Sequence, residues 1–430
     1  MKNTPSTNCS DDFEPGALSV EDAQKIIIDT ITPLESRQKT ALRDCLGRYL
    51  AEDIVSPINV PAHTNSAMDG YALAGADLPT DTDNQYQVVD TSYAGSPSTK
   101  SYQEGLVIRI MTGGVMPAGT DTVIMQEQVE QIGGNTIRIQ RIGKHKTGQN
   151  VRHPGEDIAQ GSTVLAKGRQ VTPADLGIIA SFGLSELSVF RRPRVAFFST
   201  GDELRSIGET LKEGEIYDSN RYTLFGMLKK LDVEILDMGV IEDSKASIRN
   251  AFIEATEMAD FVISSGGVSV GEADFIKPTL KALGDTHFWK IRMKPGRPLT
   301  FGSLFTTANN QSSKPAYFFG LPGNPVAVMV TFLQFVQPAI AYFGCGETHT
   351  PLKLQARCTT KLYKRPGRSE FQRGILEQGS NGELTVKRTG KQGSGILTSM
   401  SLANCFILLD EQSEGCEAGD QVAVLPFDCD

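Results

Sequence analysis

Between residues 191 and 345, short apolar runs alternate with longer amphipathic stretches. "RVAFFST", "VEILDMG" and "DFVISS" are compact and rich in β-branched and aromatic residues, which is the composition of buried strands. "DSNRYTLFGMLKKL" and "DSKASIRNAFIEATEMA" lie between them with the patterning of amphipathic helices, and Asp243 stands at the cap position of the second. Strands alternating with helices predict right-handed βαβ units and a mostly parallel sheet. Ligands of such sheets sit beyond the carboxyl ends of the strands. Here those ends open into "STGDEL" (199–204) and "SSGGVSVGEAD" (264–274). The apolar segment "PVAVMVTFLQFVQPAIAYFG" (325–344) follows a turn and is interrupted by Gln334, Gln337 and Pro338, so it predicts a buried helix rather than a membrane span.

The texture differs elsewhere. Residues 1–16 read as a disordered lead, and 17–54 carry helical periodicity. Ser19 is placed to cap "VEDAQKIIIDTI", with Glu21 and Asp22 in its first turn. From 55 to 155, runs such as "YQVVD", "GLVIRIM" and "NTIRIQRI" are separated by turn residues, and "EQIGGNTIRI" predicts a hairpin with a Gly-Gly-Asn connection. Residues 156–190 return to mixed structure, where Thr172 and Pro173 open a capped helix. From 346 to 430, short strands such as "LKLQARCTTKL" and "NCFILLD" predict a small β-barrel or sandwich.

Composition narrows the function. A chain of 430 residues is too long for one core and implies roughly two to four domains. A net charge of −9 argues against a general nucleic-acid binder, which needs a basic face, yet leaves room for a local anion pocket. Cysteines 9, 45, 345, 358, 405, 416 and 429 form no CxxC pair, so neither a disulfide framework nor a zinc site is encoded, and reduced thiols in a cytoplasm are expected. The N-terminus lacks the apolar core of a signal peptide.

Several motifs could carry chemistry. In "SSGGVSVGEAD", Gly266 and Gly267 let backbone approach a ligand, while Ser264, Ser265 and Ser269 add hydroxyl donors. A plain βα turn needs fewer such residues, so a binding loop is favoured. Asp202, Glu203, Asp243, Glu272 and Asp274 gather hard oxygen ligands at one end of the sheet, which suits Mg2+ beside a phosphate, although helix capping accounts for Asp243 equally well. In "WKIRMKPGRP", strand alternation puts Lys290, Arg292 and Lys294 opposite Ile291 and Met293, either to hold an anion or to meet solvent. "GLPGNPVAV" places Pro322 and Pro325 about a loop into a helix. In the β-rich region, "NSAMDGYAL" offers Asp69, "RIMTGG" offers Thr112, and "RHPGEDI" offers Arg152, Glu156 and Asp157, each of which could be turn chemistry alone.

Taken in order, "NSAMDGYA", "IMTGG…PAGTDTVI", "RHPGEDI", "STGDEL", "SSGGVSVGEADF", "KPGRP", "LPGNPV" and "GRSEFQRG…GSGILTSMSLANC" resemble the molybdopterin molybdenumtransferases of the MoeA type, a family that includes the C-terminal domain of gephyrin. The resemblance runs from about residue 15 to the end. It implies a cytoplasmic enzyme that binds adenylated molybdopterin, inserts molybdate and releases AMP with Mg2+. It also implies an α/β domain (191–345) related to molybdopterin adenylyltransferases, a β-rich domain (55–155), an elongated dimerisation domain (17–54 with 156–190) and a C-terminal barrel (346–430). The active site would be shared between the subunits of a homodimer. An adenylyltransferase would supply the substrate and molybdoenzyme-maturation proteins would take the product.

Carried over by motif, the acids Asp69, Asp157, Glu203, Asp243 and Asp274 would be catalytic, with Glu203, Asp243 and Asp274 at the metal. Thr112, Pro322, Pro325 and Ser394 would line the cleft, the loop from Ser264 to Ser269 would bind the cofactor, and Lys290, Lys294 and Arg373 would meet anionic groups. Two departures stand out: "PAHTNSAMDGYA" carries His63 and Thr64 where the family has an aromatic and an acid, and "KPGRP" replaces the commoner "KPGKP". A lone adenylyltransferase is disfavoured by the extra β-domains, and a scaffold by the lack of any surplus domain.

Overall fold

The computed structural model describes residues 16–266, 275–305 and 314–427. The chain forms two compact units, one of residues 39–189 and the other of residues up to 38 together with 190 onward.

In the second unit, the strands Arg194–Thr200, Glu234–Ile241, Phe261–Ser265 and Ala316–Leu321 run parallel, and Pro298–Leu304 and Gly284–Lys290 continue the same sheet. Only Pro298–Leu304 runs against the rest, because it is antiparallel to both of its neighbours. Apolar residues cover both faces, as the unbroken strand runs require. On one face Ala196, Phe198, Val262 and Phe318 pack with Ile248, Phe252 and Ala255 of the helix Lys245–Met258. On the other, Phe261 and Tyr317 meet Phe343 edge-on.

The helix Val20–Thr30 belongs to this unit, with Ser19 as its cap: the serine hydroxyl accepts from the Asp22 amide at 3.0 Å. The chain beyond the helix is tied to the sheet by Thr32 N–H to the Tyr317 hydroxyl and Leu34 N–H to the Phe343 carbonyl, both at 2.7 Å. Residues 17–38 thus pack with the α/β core, whereas the sequence pattern grouped 17–54 together. Amphipathic spacing shows that a helix has a buried face, not what covers it.

The apolar segment forms helix from Pro325 to Cys345, with a wider turn over Phe332–Val336. It is long and apolar enough to cross a membrane by composition, but 67% of its most apolar window is buried in the fold. Pro338 explains the wide turn. It has no N–H to give the Gln334 carbonyl four residues earlier, and its ring crowds that carbonyl. The freed carbonyl accepts instead from Gln24 Nε2 at 2.8 Å, across from the first helix.

Beyond the sheet, Leu354–Cys358, Ser369–Gln378, Leu384–Arg388, Cys405–Leu409 and Gln421–Pro426 close into a five-stranded barrel, because Ser369–Gln378 pairs with both Leu384–Arg388 and Cys405–Leu409. Its core includes Ala356, Val386, Cys405, Ile407 and Val424.

In the unit 39–189, the strands Gly70–Leu73, Tyr86–Ser92, Leu106–Ile110, Thr122–Met125, Val129–Gly133 and Thr136–Ile139 form a six-stranded mixed sheet. Val129–Gly133 and Thr136–Ile139 make the expected hairpin, turned by Gly133 and Gly134 at positive φ. A separate small core joins Cys45, Leu50 and Ile54 to Val171, Ile179 and Leu187, and the helix Pro173–Ser181 is closed by a capping box between Thr172 and Asp175.

Replacing Gln24 with Met keeps the side chain's bulk but strands the Gln334 carbonyl. Urea unfolding should show a loss of about 1–3 kcal/mol with an unchanged native far-ultraviolet spectrum.

Candidate active site

Parallel pairing brings Thr200, Ile241, Ser265 and Leu321 to one edge of the α/β sheet, so the loops that follow them share that edge. Ser264 and Ser265 are buried. Gly266 follows at φ +89°, and a Cβ there would lie 2.7 Å from the Thr200 carbonyl oxygen. Any other residue would clash with backbone, so glycine is required at this crossing. Gly267, Ser269, Glu272 and Asp274 lie outside the described residues.

Next to this turn several buried oxygens have no hydrogen-bond partner: Ser199 Oγ, Ser264 Oγ, Asp218 Oδ2 and Asn220 Oδ1. Asn220 is fixed by its other atom, Nδ2, which donates to Ser265 Oγ at 2.9 Å and to the Gly323 carbonyl at 2.7 Å. Asp218 caps the helix Ser219–Lys229 through Oδ1, which leaves Oδ2 unpaired. Buried polar atoms left over in this way are completed by a ligand, an ion or ordered water. Along the sequence, "DSN" reads as the start of a helix. A polar triplet at a helix N-terminus in an α/β unit was the available signal.

Pro322 is buried, Gly323 and Asn324 are exposed, and Pro325 opens the helix Pro325–Thr331. This loop meets the barrel: Val326 N–H donates to the Ser394 carbonyl at 3.0 Å. Arg373 supports the same barrel loop, donating from its guanidinium to the Gly393 carbonyl at 3.3 Å and to Ser399 Oγ at 3.1 Å. Pro322, Pro325, Ser394 and Arg373 are therefore brought together. Arg373 is 1% exposed, it donates to the neutral oxygens of Ser399, Phe371 and Gly393, and burial pushes its pKa down to about 10. The guanidinium stays charged at neutral pH, a buried cation with neutral acceptors around it.

The alternation in "WKIRMK" is as expected, with Ile291 and Met293 fully buried and Lys290 and Lys294 exposed. Its cations are not all open to a ligand. Arg292 Nε reaches both oxygens of Glu411 at 3.0 Å, and Lys294 Nζ pairs with Glu370 at 3.0 Å.

Glu203 is exposed beyond the first strand, and its carboxylate lies against Gly201, where a Cβ would come within 2.7 Å of it. Asp243 is half-buried beyond the edge strand. It does not cap the helix: the helix starts at Lys245, one residue later than the pattern suggested, and Ser244 Oγ accepts from the Ser247 amide at 3.2 Å. Among the described residues no group of three or more His, Cys, Asp or Glu side chains could hold a metal ion. Glu203 and Asp243 are nonetheless donors of the kind Mg2+ takes. That ion uses one or two carboxylates with waters and substrate phosphates rather than an all-protein cage.

The unit 39–189 assembles a second group. Asn65–Ser66 pairs with Val151–Arg152, and Ser66 exchanges backbone hydrogen bonds with Gly113 and Gly114. The segments "NSAMDG", "MTGG" and "RHPGED", far apart in sequence, thereby meet at one strand. Asp69 Oδ1 accepts from the Thr112 amide at 2.7 Å and from its hydroxyl at 2.9 Å. Those two bonds, the amide first, hold the Asp69 carboxyl below the usual carboxylate range. Gly70 follows with no room for a side chain, since a Cβ would sit 2.0 Å from the Ile124 carbonyl oxygen. Asp157 is exposed on the turn after Arg152, and its amide donates to the Val60 carbonyl at 3.1 Å.

Over 411 residues the chain is 41% identical to the molybdopterin molybdenumtransferase of Haemophilus influenzae, a match spanning 95% of this chain and 98% of that one. This chain belongs to the molybdopterin molybdenumtransferase family. It is a transferase of molybdenum cofactor biosynthesis. The molybdopterin molybdenumtransferase of a Nostoc species is 35% identical over 415 residues, 95% of this chain and 93% of that one. Family models match along the whole length: the MoeA N-terminal region (domain I and II) at 18–183, a probable molybdopterin binding domain at 196–342, and the MoeA C-terminal region (domain IV) at 355–427. The molybdopterin biosynthesis moeA protein of Pyrococcus horikoshii superposes with a TM-score of 0.81 at 29% identity, covering 96% of this chain and all of that one. The α/β sheet with its orphaned oxygens thus falls in the segment that matches the probable molybdopterin binding domain.

The depressed Asp69 pKa has a definite sign. A lowered folded-state value means that the carboxylate stabilises the fold at neutral pH and that this contribution is lost as pH falls through the folded pKa, below the ordinary Asp range. Thr112→Val keeps the amide and removes the hydroxyl. A carboxyl-carbon NMR titration should then show the Asp69 pKa rising only part of the way to its ordinary value.

Proposed function

We propose that this chain binds adenylated molybdopterin and inserts molybdate into it, releasing AMP with the help of Mg2+. The supporting observation is the set of unpartnered buried oxygens on Ser199, Ser264, Asp218 and Asn220, beside a turn where only glycine passes. A pterin is rich in N–H donors, and such a ring would satisfy these acceptors as water cannot once the site is filled.

The anionic parts of the reactants need cations. Arg373 supplies a buried guanidinium with neutral acceptors, held against the loop of Ser394. Lys290, at the end of the strand Gly284–Lys290, and Lys294, on a strand paired with the barrel, would supply ammonium groups, and Lys294 would share its charge between Glu370 and a ligand. Glu203 and Asp243, with Asp274, would hold the Mg2+, which would neutralise charge on the departing adenylate phosphate. Asp69, kept ionised by Thr112, and Asp157 are the carboxylates that would orient water or molybdate.

The proposal includes a cytoplasmic homodimer in which Asp69, Thr112 and Asp157 of one subunit serve the α/β loops of the other. A molybdopterin adenylyltransferase would supply its substrate, and molybdoenzyme-maturation proteins would take its product. The free thiols of Cys45, Cys345, Cys358, Cys405 and Cys416 suit a reducing compartment.

The assay combines purified protein, adenylated molybdopterin, Mg2+ and molybdate and follows AMP. Release should require molybdate and fall about a hundredfold or more in Asp69→Asn and in Asp274→Asn. Release indifferent to molybdate and to both substitutions would sink the mechanism. Sharing of the site is tested by co-expressing Asp69→Asn with Asn220→Leu. Random pairing of the two inactive chains should restore about a quarter of wild-type activity, since half the dimers then carry one intact site. No recovery would mean that each subunit works alone.

A further inference from the structure

The β-rich unit carries a concentration of positive charge that the proposed reaction does not use. Residues 138–152 read "RIQRIGKHKTGQNVR", with Arg138, Arg141, Lys144, Lys146 and Arg152 and no carboxylate, in a chain whose net charge is −9. A cavity of about 600 Å³ opens in this segment, lined by Arg141, Lys144, His145, Gln128, Gln149 and Ile142. That volume is in the range of small-molecule sites.

The segment is held in shape from several directions. Gly148 N–H donates to Thr122 Oγ1 at 3.1 Å, and Asn150 Nδ2 donates to the Val123 carbonyl at 2.9 Å. Thr147 packs directly on Gly75, where a Cβ would come within 2.4 Å of it. Gln149 accepts from the Lys146 amide at 3.1 Å through Oε1 and reaches His145 Nδ1 at 3.2 Å through Nε2. The other ring nitrogen, Nε2, lies 2.7 Å from the Gln140 carbonyl. Acceptance at Nδ1 puts the ring proton on Nε2, so His145 is a wall of the cavity with both nitrogens engaged.

Its cations are left over. The nearby acids are occupied: Glu130 pairs with Arg138 at 3.6 Å, Glu127 accepts from the Gln126 amide group, and Asp121 accepts from Gly75 N–H and Thr122 Oγ1. Among the described residues, Arg141, Lys144 and Lys146 have no carboxylate partner. Arg138 Nε, one strand step from Gln140, is buried without a hydrogen-bond partner. Solvated surface cations are normally interspersed with acids, and residues 138–152 carry no Asp or Glu.

We propose that this cavity is a second anion site, which takes a small phosphate-bearing ligand separately from the α/β loops. A guanidinium, an ammonium and two side-chain amides suit the several oxygens of a phosphate or diphosphate. No Phe, Tyr or Trp lines the cavity, and both nitrogens of the His145 ring are already engaged, so the large stacking platform of a single-stranded nucleic-acid site is missing.

The test uses the full-length protein and pyrophosphate, so that it does not depend on the transferase reaction. Hydrogen exchange at low salt should show slowed exchange over residues 140–150 when pyrophosphate is added. Calorimetry should show that binding event weakened about tenfold or more in the double variant Arg141→Glu with Lys144→Glu. The pair Arg141→Lys with Lys144→Arg should retain it. Both positions are exposed, so the thermal midpoint should stay unchanged and loss of fold would not be the cause. Unchanged exchange over 140–150, or identical isotherms for the wild type and the charge-reversed variant, would overturn the proposal.

Discussion

Parallel strands must all end at one edge, and the arrangement of the α/β unit depends on that constraint. Thr200, Ser265 and Leu321 finish side by side because Arg194–Thr200, Phe261–Ser265 and Ala316–Leu321 pair in parallel register. Their loops have to share the space beyond, and the cost is local crowding. Gly266 passes the Thr200 carbonyl at a distance no side chain tolerates. The polar atoms stranded in that crowd cannot all find partners within the chain, and Asn220 shows the outcome: its donor is doubly used while its acceptor is left bare. An apolar sheet thereby ends in a surface that is polar, buried and short of partners within the chain.

Buried charge shows the same logic in the barrel. Lys364 is 8% exposed, and its ammonium is bonded to the carbonyls of Arg365, Glu411 and Ser413, so it closes loops and offers nothing outward. Arg373 is buried more deeply, but its acceptors are weaker and longer, up to 3.5 Å from the guanidinium. Desolvation depresses the pKa of both, and both lie beside loops that meet the α/β segment, Lys364 at Glu411, which pairs with Arg292, and Arg373 at the loop of Ser394, which meets Val326. Buried cations of similar cost are therefore held differently, one in a closed clamp of three carbonyls and one by longer bonds around a planar guanidinium.

Much of this was legible along the chain. Period-two and period-3.6 patterns located the βαβ strands and helices, and turn chemistry located the Gly133–Gly134 hairpin and the Thr172 cap. The motif segments around Asp69, Thr112 and Arg152 could be picked out one by one. What stayed hidden was relational. The helix Val20–Thr30 carries no sign that it packs with the α/β core, because its buried face is generic and its key bond, from Gln24 to a freed carbonyl, depends on a proline more than 300 residues away. Ion pairing was equally invisible: Lys294 and Arg292 read as open cations, and only the fold supplies Glu370 and Glu411. Asn220 was missed because a helix start explains Asp-Ser-Asn well enough on its own.

The narrow passage at Gly70 bears on how the β-rich unit ages and varies. Asp69 is joined to the first residue of a paired strand, where an added Cβ would lie 2.0 Å from the Ile124 carbonyl oxygen, so the carboxylate stands at the end of that strand. Its position is inherited from strand pairing, with little freedom of its own. Damage that loosens the sheet would blunt this acid before the unit visibly unfolds, and a variant that tolerates heat better at the sheet would keep the acid aimed for longer. In this unit, durability and aim are one property.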